Sequence, residues 1–259
     1  MNPSFCALTW THHDFKDFDG IPSIVLGHKL QENSINMIMH VAGRNFKKEE
    51  ALTVMNKIKD MGVKNILTLK GGLVLEPNDA KNEFPYGLEF LRFLKKEFGN
   101  YFNIATSGYP IGHPASPDPI KDLCYLKKKV DAGADFVMCQ GVFDLKTFKD
   151  FYYRCRELEI RVPILPAVYA INSFEVLTNL KSFCKVMPDD YVKSMEKLSG
   201  DNDAITNYSV NYVSNLISAL LKDTEISIPG VHIFCFNNFS VVNKIFDKLD
   251  FEDLKIWQP

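Results

Sequence analysis

Apolar positions along the chain fall into short continuous runs and into stripes at helical spacing, and the two kinds alternate. Residues 5–10, Phe5-Cys6-Ala7-Leu8-Thr9-Trp10, form a run that predicts a buried strand. A helix is expected over 21–33 and a second strand over 36–40, ending at His40. Residues 47–61 carry Ala51, Val54, Met55 and Ile58 on one helical face. A third strand over 64–69, a helix over 86–98 and a fourth strand over 102–106 follow. Ile120, Leu123, Leu126 and Val130 then define an amphipathic helix that Gly133 stops, and the short run 136–139 makes a fifth strand ending in Gln140. Further on, the pattern predicts helices over 145–158, 174–183, 188–198, 204–221 and 241–249. It also predicts strands over 162–168 and 231–236.

Strands and helices alternating at roughly 30-residue intervals argue for a parallel sheet in an α/β protein. The fold expected is a TIM-type (β/α)8 barrel, read as a single domain over 1–259, with seven of its eight strands legible. Polar groups at the carboxyl ends of such strands are where ligands sit.

Composition narrows this picture only slightly. A net charge of -2 gives no reason to expect nucleic acid or an anionic membrane as partner. The chain has no 18-residue apolar span and no basic start followed by a long apolar stretch, so neither a membrane helix nor a signal peptide is expected. Its six cysteines show no CxxC spacing, and several lie in apolar runs. They read as reduced core residues of a cytoplasmic protein. His12-His13-Asp14 has no ligand cluster around it, so no metal is expected. The nearest thing to a linker is the polar stretch 76–83.

Residues 108–144 hold the most specific sequence signal. Tyr109-Pro110-Ile111-Gly112-His113-Pro114-Ala115-Ser116 follows a YPxGHPEA loop. Residues 122–136 follow a DLxxLKxKVDAGADF helix almost unbroken, and Cys139-Gln140-Gly141-Val142-Phe143-Asp144 follows a TQ-F-FD strand end. With shorter echoes from about Phe5 to Asn238, the chain resembles the catalytic barrel domain of methylenetetrahydrofolate reductase, a flavin-dependent enzyme of folate metabolism.

That resemblance implies FAD as cofactor and NAD(P)H and folate as small-molecule partners. It implies flavin contacts at Thr9 and Trp10 (the family's DVTW motif), His40, Lys70-Gly71-Gly72, Tyr86-Gly87, Tyr109, His113, Pro114, Ala115, Ser116, Asp122 and Lys129. It implies folate contacts at Gln140, Phe234 and Asn238, the last two within Pro229 to Asn238, which follows PGxHFYTLNR. Asp122 and Lys129 are seven apart, about two turns, and so share one helix face. An amide such as Gln140 can offer a pterin edge both a donor and an acceptor. Plainer readings stand beside several of these: a core histidine at His40, an inward-packed aromatic at Tyr86, a simple turn at Gly72, a buried amide at Gln140.

The chain departs from the family at three points. Lys70-Gly71-Gly72 replaces Arg-Gly-Asp, so a carboxylate is lost at Gly72, and Asn238 replaces a substrate-facing arginine. The family's first strand, which bears the glutamate acting as general acid, has no counterpart, so none of these residues is assigned a catalytic role. A positioned acid is typically worth about 10²–10⁴-fold in rate, so impaired reduction is expected. The first and last strands would be exposed edges, which dimerisation or pairing with a complete subunit could cover. The chain ends at Pro259, just past the barrel, and no regulatory domain is expected.

Overall fold

Strand pairing among the described residues is parallel throughout, as the alternating pattern requires. The computed structural model describes residues 3–9, 18–44, 46–70, 83–113, 116, 118–183 and 187–251. The chain divides into two compact units, one of Met1–Ser107 with Lys128–Phe136, the other of Gly108–Lys127 with Val137–Pro259.

In the first unit, β1 (Cys6–Thr9), β2 (Met37–Ala42), β3 (Asn65–Leu69) and β4 (Asn103–Gly108) lie side by side in chain order. They alternate with α1 (Pro22–Glu32), α2 (Lys48–Asp60) and α3 (Gly87–Phe98). One face of these strands joins the apolar core. Leu8, Met37, Met39, Val41, Ile66 and Ile104 cluster with helix residues such as Ile24, Val54, Ile58 and Leu91, all buried. Because side chains alternate along a strand, Thr9, Ile38, His40, Leu67, Ala105 and Ser107 belong to the opposite face.

In the second unit, α4 (Pro119–Asp131), whose last turn belongs to the first unit, leads towards β5 (Phe136–Cys139). Gly133 at φ +106° ends that helix, as expected. Then come α5 (Leu145–Glu157), β6 (Ile164–Leu165), β7 (Ala167–Tyr169), α6 (Phe174–Phe183), α7 (Asp189–Glu196), α8 (Asn202–Lys222), β8 (His232–Phe234) and α9 (Phe239–Asp247). The strand expected over 162–168 is thus two strands. Pro166 has no N–H to give a ladder, so the run breaks there. β6 pairs with β5, whereas β7 pairs with β8. The strand expected over 231–236 also ends early, because Phe236 and Asn237 take left-handed φ values of 47° and 63°. The alternating parallel α/β order expected of a TIM-type barrel is otherwise the order found.

The cysteines divide more unevenly than expected. Among the described residues, Cys139 and Cys155 are buried, Cys6 and Cys235 are half-buried, and Cys124 on α4 is exposed, and these five are unpaired thiols. Burial raises the Cys139 thiol well above its ordinary range and pushes Cys155 up to about 12, so neither is a reactive thiolate.

Candidate functional site

In the first unit the candidate residues gather at the carboxyl ends of β1 to β4. The register sets Thr9 opposite His40, and His40 opposite Leu67, which in turn faces Ala105. Thr9 and His40 are therefore neighbours on the face turned away from the helices. His40 is buried there. One pleat further along β4, Ser107 is on the same face. Its hydroxyl is buried and has no hydrogen-bond partner among the described residues. Its carbonyl accepts from the Lys129 ammonium at 2.8 Å. Lys129 is itself buried, so this lysine of the Lys-rich helix is not part of a solvated face. At the end of β3, the Lys70 ammonium stands 5.0 Å over the Tyr86 ring. Tyr86 is half exposed, which excludes the inward-packed reading. Gly87 opens α3 against the end of β3, where a Cβ would sit 3.5 Å from the Thr68 carbonyl, ordinary contact distance.

In the second unit, residues 109–113 form a turn closed by the Gly112 N–H donating to the Tyr109 carbonyl at 3.0 Å. Gly112 has φ +92°, which favours glycine, and a Cβ there would also press on Pro119 Cα at 3.2 Å. The His113 ring meets the Tyr109 ring edge-on at 4.7 Å. Asp122 fixes this loop by accepting the His113 N–H at 3.2 Å. Ser116 ties it to the helix start: its N–H donates to the His113 carbonyl and its hydroxyl to the Asp118 carbonyl.

Gln140, at the end of β5, donates its N–H to the Gly108 carbonyl at 2.8 Å. Its side-chain Nε2 is buried without a hydrogen-bond partner among the described residues. Asp144 begins α5 by accepting the Thr147 N–H at 2.7 Å. A cleft of about 320 Å³ lies beside this strand end, lined by Pro110, Ile111, Phe143, Asp144, Thr147 and Met187 among others. Tyr169 stacks on Phe234 with ring centres 5.1 Å apart and on Phe236 at 5.9 Å. Phe143 packs against Tyr169 and Tyr191, and the Tyr212 hydroxyl donates to the Phe143 carbonyl at 2.8 Å. Burial raises the Tyr191 hydroxyl above its ordinary range. Burial also lowers His232, which meets Phe234 edge-on, to about 4, so it is neutral at pH 7. Asn238 caps α9: its Oδ1 accepts from the Ser240 hydroxyl at 2.7 Å and from the Val241 N–H at 3.4 Å.

The structure thus brings Thr9, His40 and Lys129 to the strand ends of one unit, with Lys70, Tyr86 and Gly87 beside them. It brings Tyr109, His113, Ser116 and Asp122 into one braced loop of the other. Gln140 stands at the end of β5, Phe234 in an aromatic stack and Asn238 at a helix cap. Trp10, Gly71, Gly72, Pro114 and Ala115 lie outside the described residues. Sequence reasoning missed Ser107, because the fourth strand was expected to end one residue earlier; a polar residue at the last inward position of a strand was the available signal. It also missed the Phe143–Tyr169–Tyr191 aromatic group, whose members are distant in sequence.

A parallel α/β protein with polar side chains at the carboxyl ends of its strands belongs to a class that binds ligands there. The methylenetetrahydrofolate reductase family model matches residues 1–250, and the chain belongs to that family. It is 30% identical over 252 residues to a probable methylenetetrahydrofolate reductase (NADPH) of Caenorhabditis elegans, covering 95% of this chain and 37% of that protein. It is 26% identical to methylenetetrahydrofolate reductase (NADH) 1 of Arabidopsis thaliana, covering 91% of this chain and 41% of that one. The chain therefore spans about two fifths of the length of these curated relatives. Among solved structures, a Clostridium thermocellum protein that binds two copies of 5-methyl-5,6,7,8-tetrahydrofolic acid shares the fold. Its TM-score is 0.59 at 15% identity, over 93% of this chain and 80% of that one. No described helix is long and apolar enough to cross a membrane.

Proposed function

We propose that this chain is a flavin-dependent oxidoreductase of folate metabolism, binding FAD and accepting reducing equivalents from NAD(P)H for 5,10-methylenetetrahydrofolate. The observation that carries the reading is the register of Thr9 against His40: two residues that the family resemblance assigns to the flavin are neighbours on the face turned from the helices. The residues fit such a group. Ser107 and Gln140 each bury a polar side-chain atom that has no hydrogen-bond partner among the described residues, which suits sites completed by a ligand. When bound, the flavin would supply the hydride chemistry. The chain's own part is to hold and orient it, and in the first unit Thr9 and His40 would stand against its ring. Lys70 adds positive charge at the end of β3. Gln140 would present its amide to the pterin edge, with Phe234 beside it as an apolar wall.

Turnover is expected to be slow. Gly72 brings no carboxylate where the family has one, and Asn238 brings no cation where the family has arginine. Asn238 favours a second reading as well. Its side chain is engaged as a helix cap, which gives it a structural role and suits a flavin-binding or partner-binding relative with no reductase activity.

The test is an absorption spectrum of the purified protein, taken with FAD and repeated after anaerobic NADPH. Flavin bands that bleach support the oxidoreductase, and a folate turnover assay would then measure its rate. Bands that do not bleach with NADPH or NADH support the binding-only reading. A protein that takes up no FAD would sink both.

A further inference from the structure

We infer that the Ser107 hydroxyl is a further binding contact to the flavin, one that hydrogen-bonds a heteroatom of its ring. The inference rests on the flavin reading above and adds to it a residue that neither the family motifs nor the sequence pattern marked. Two neighbouring hydroxyls at the end of β4, those of Thr106 and Ser107, are buried, and neither has a hydrogen-bond partner among the described residues. A buried hydroxyl left without a partner is costly, so each calls for an explanation. The strand's alternation separates them. Thr106 stands opposite Thr68, and Thr68 opposite Val41, a member of the helix-facing core cluster. Ser107, next along, is therefore on the other face, with His40 and Thr9. Its position is fixed from behind, because the buried Lys129 ammonium holds its carbonyl at 2.8 Å. Of the two hydroxyls, only that of Ser107 is on the face where the flavin is proposed to bind. A serine hydroxyl can both donate and accept, which suits the mixed donors and acceptors of a heteroaromatic edge.

The experiment titrates FAD into the purified full chain and follows flavin fluorescence, for the wild type, S107A, S107C and T106V. The melting temperature without FAD and the flavin absorption maximum accompany each titration. S107A is expected to weaken FAD binding roughly three- to tenfold and to shift the absorption maximum, with the melting temperature unchanged or raised. S107C, which keeps the volume but bonds hydrogen poorly, should reproduce the loss. T106V should bind FAD as the wild type does. If the wild type binds FAD and S107A binds it equally well, or if T106V weakens binding as much, the Ser107 assignment is overturned and the flavin reading survives. If the wild type takes up no FAD, both fall.

Discussion

The two units hold their candidate residues by different means. In the first, Thr9, His40 and Ser107 stand on β1, β2 and β4 of one parallel sheet whose other face is buried in one apolar cluster containing Phe46, Phe84 and Phe90. Their positions follow from register, and moving one of them means moving a strand. In the second, Tyr109, His113 and Ser116 sit on a loop, and Asn238 at a helix cap. They are held by a few local hydrogen bonds, accepted by Asp122 and Asn238 and donated by Ser116, and by a glycine at φ +92°. The family resemblance assigns residues of both kinds to the flavin, Thr9 and His40 on strands and Tyr109, His113 and Ser116 on the loop, whereas Asn238, which it assigns to the folate, depends on a local device alone. Local devices are also easier to alter one at a time, and one departure from the family, Asn238, falls at a helix cap rather than inside a strand.

That contrast can be broken by measurement. Phe90 is fully buried among Phe46, Phe84 and Phe93, so Phe90→Ala should cost about 3–5 kcal/mol in denaturant unfolding. A cost no larger than that of a cap substitution would show that the first unit's core is not the stronger support. Next in size is a pH effect in the second unit. His232 titrates at about 4 in the folded chain against an ordinary 6.5, so the unfolded chain binds the extra proton between these values. Its contribution is complete above about 6.5 and is lost as pH falls towards 4, by up to about 3 kcal/mol. Urea midpoints at pH 7.5 and 4.5 should show this loss in the wild type and a smaller one in His232→Phe. Gly112→Ala should then cost about 1–2 kcal/mol through its left-handed backbone, and should weaken FAD binding as the loop shifts. The smallest change is Asn238→Ala, worth about 1 kcal/mol through the lost α9 cap. Asn238→Asp should keep stability within a few tenths, and calorimetry would distinguish the two.

Much of this fold was legible because its elements are periodic. The helix over 48–60 announced itself through Ala51, Val54, Met55 and Ile58, all buried as the spacing implied. The strand around Pro166 was harder. An apolar run does not reveal which of its residues must donate to a neighbour, and the proline decides this only once the partners are known. Within the site, Asp122 and Lys129 were placed on the expected helix, but their bonds to the His113 N–H and the Ser107 carbonyl were not legible. Those partners depend on how a loop turns at Gly112 and on where a strand ends. Asn238 was legible as a lost cation, whereas its gain as a helix cap emerged only with the start of α9 at Phe239.

The buried ammonium of Lys129 also sets how the protein will meet amine-directed reagents. A lysine whose nitrogen is held at 2.8 Å on a backbone carbonyl, with its stem enclosed, presents no nucleophile to acylating or methylating chemistry. Lys96, with 82% of its side chain exposed, is open to both. A lysine-labelling footprint should therefore mark Lys96 early and reach Lys129 only after the chain has opened, making Lys129 a built-in reporter of when this end of β4 comes apart.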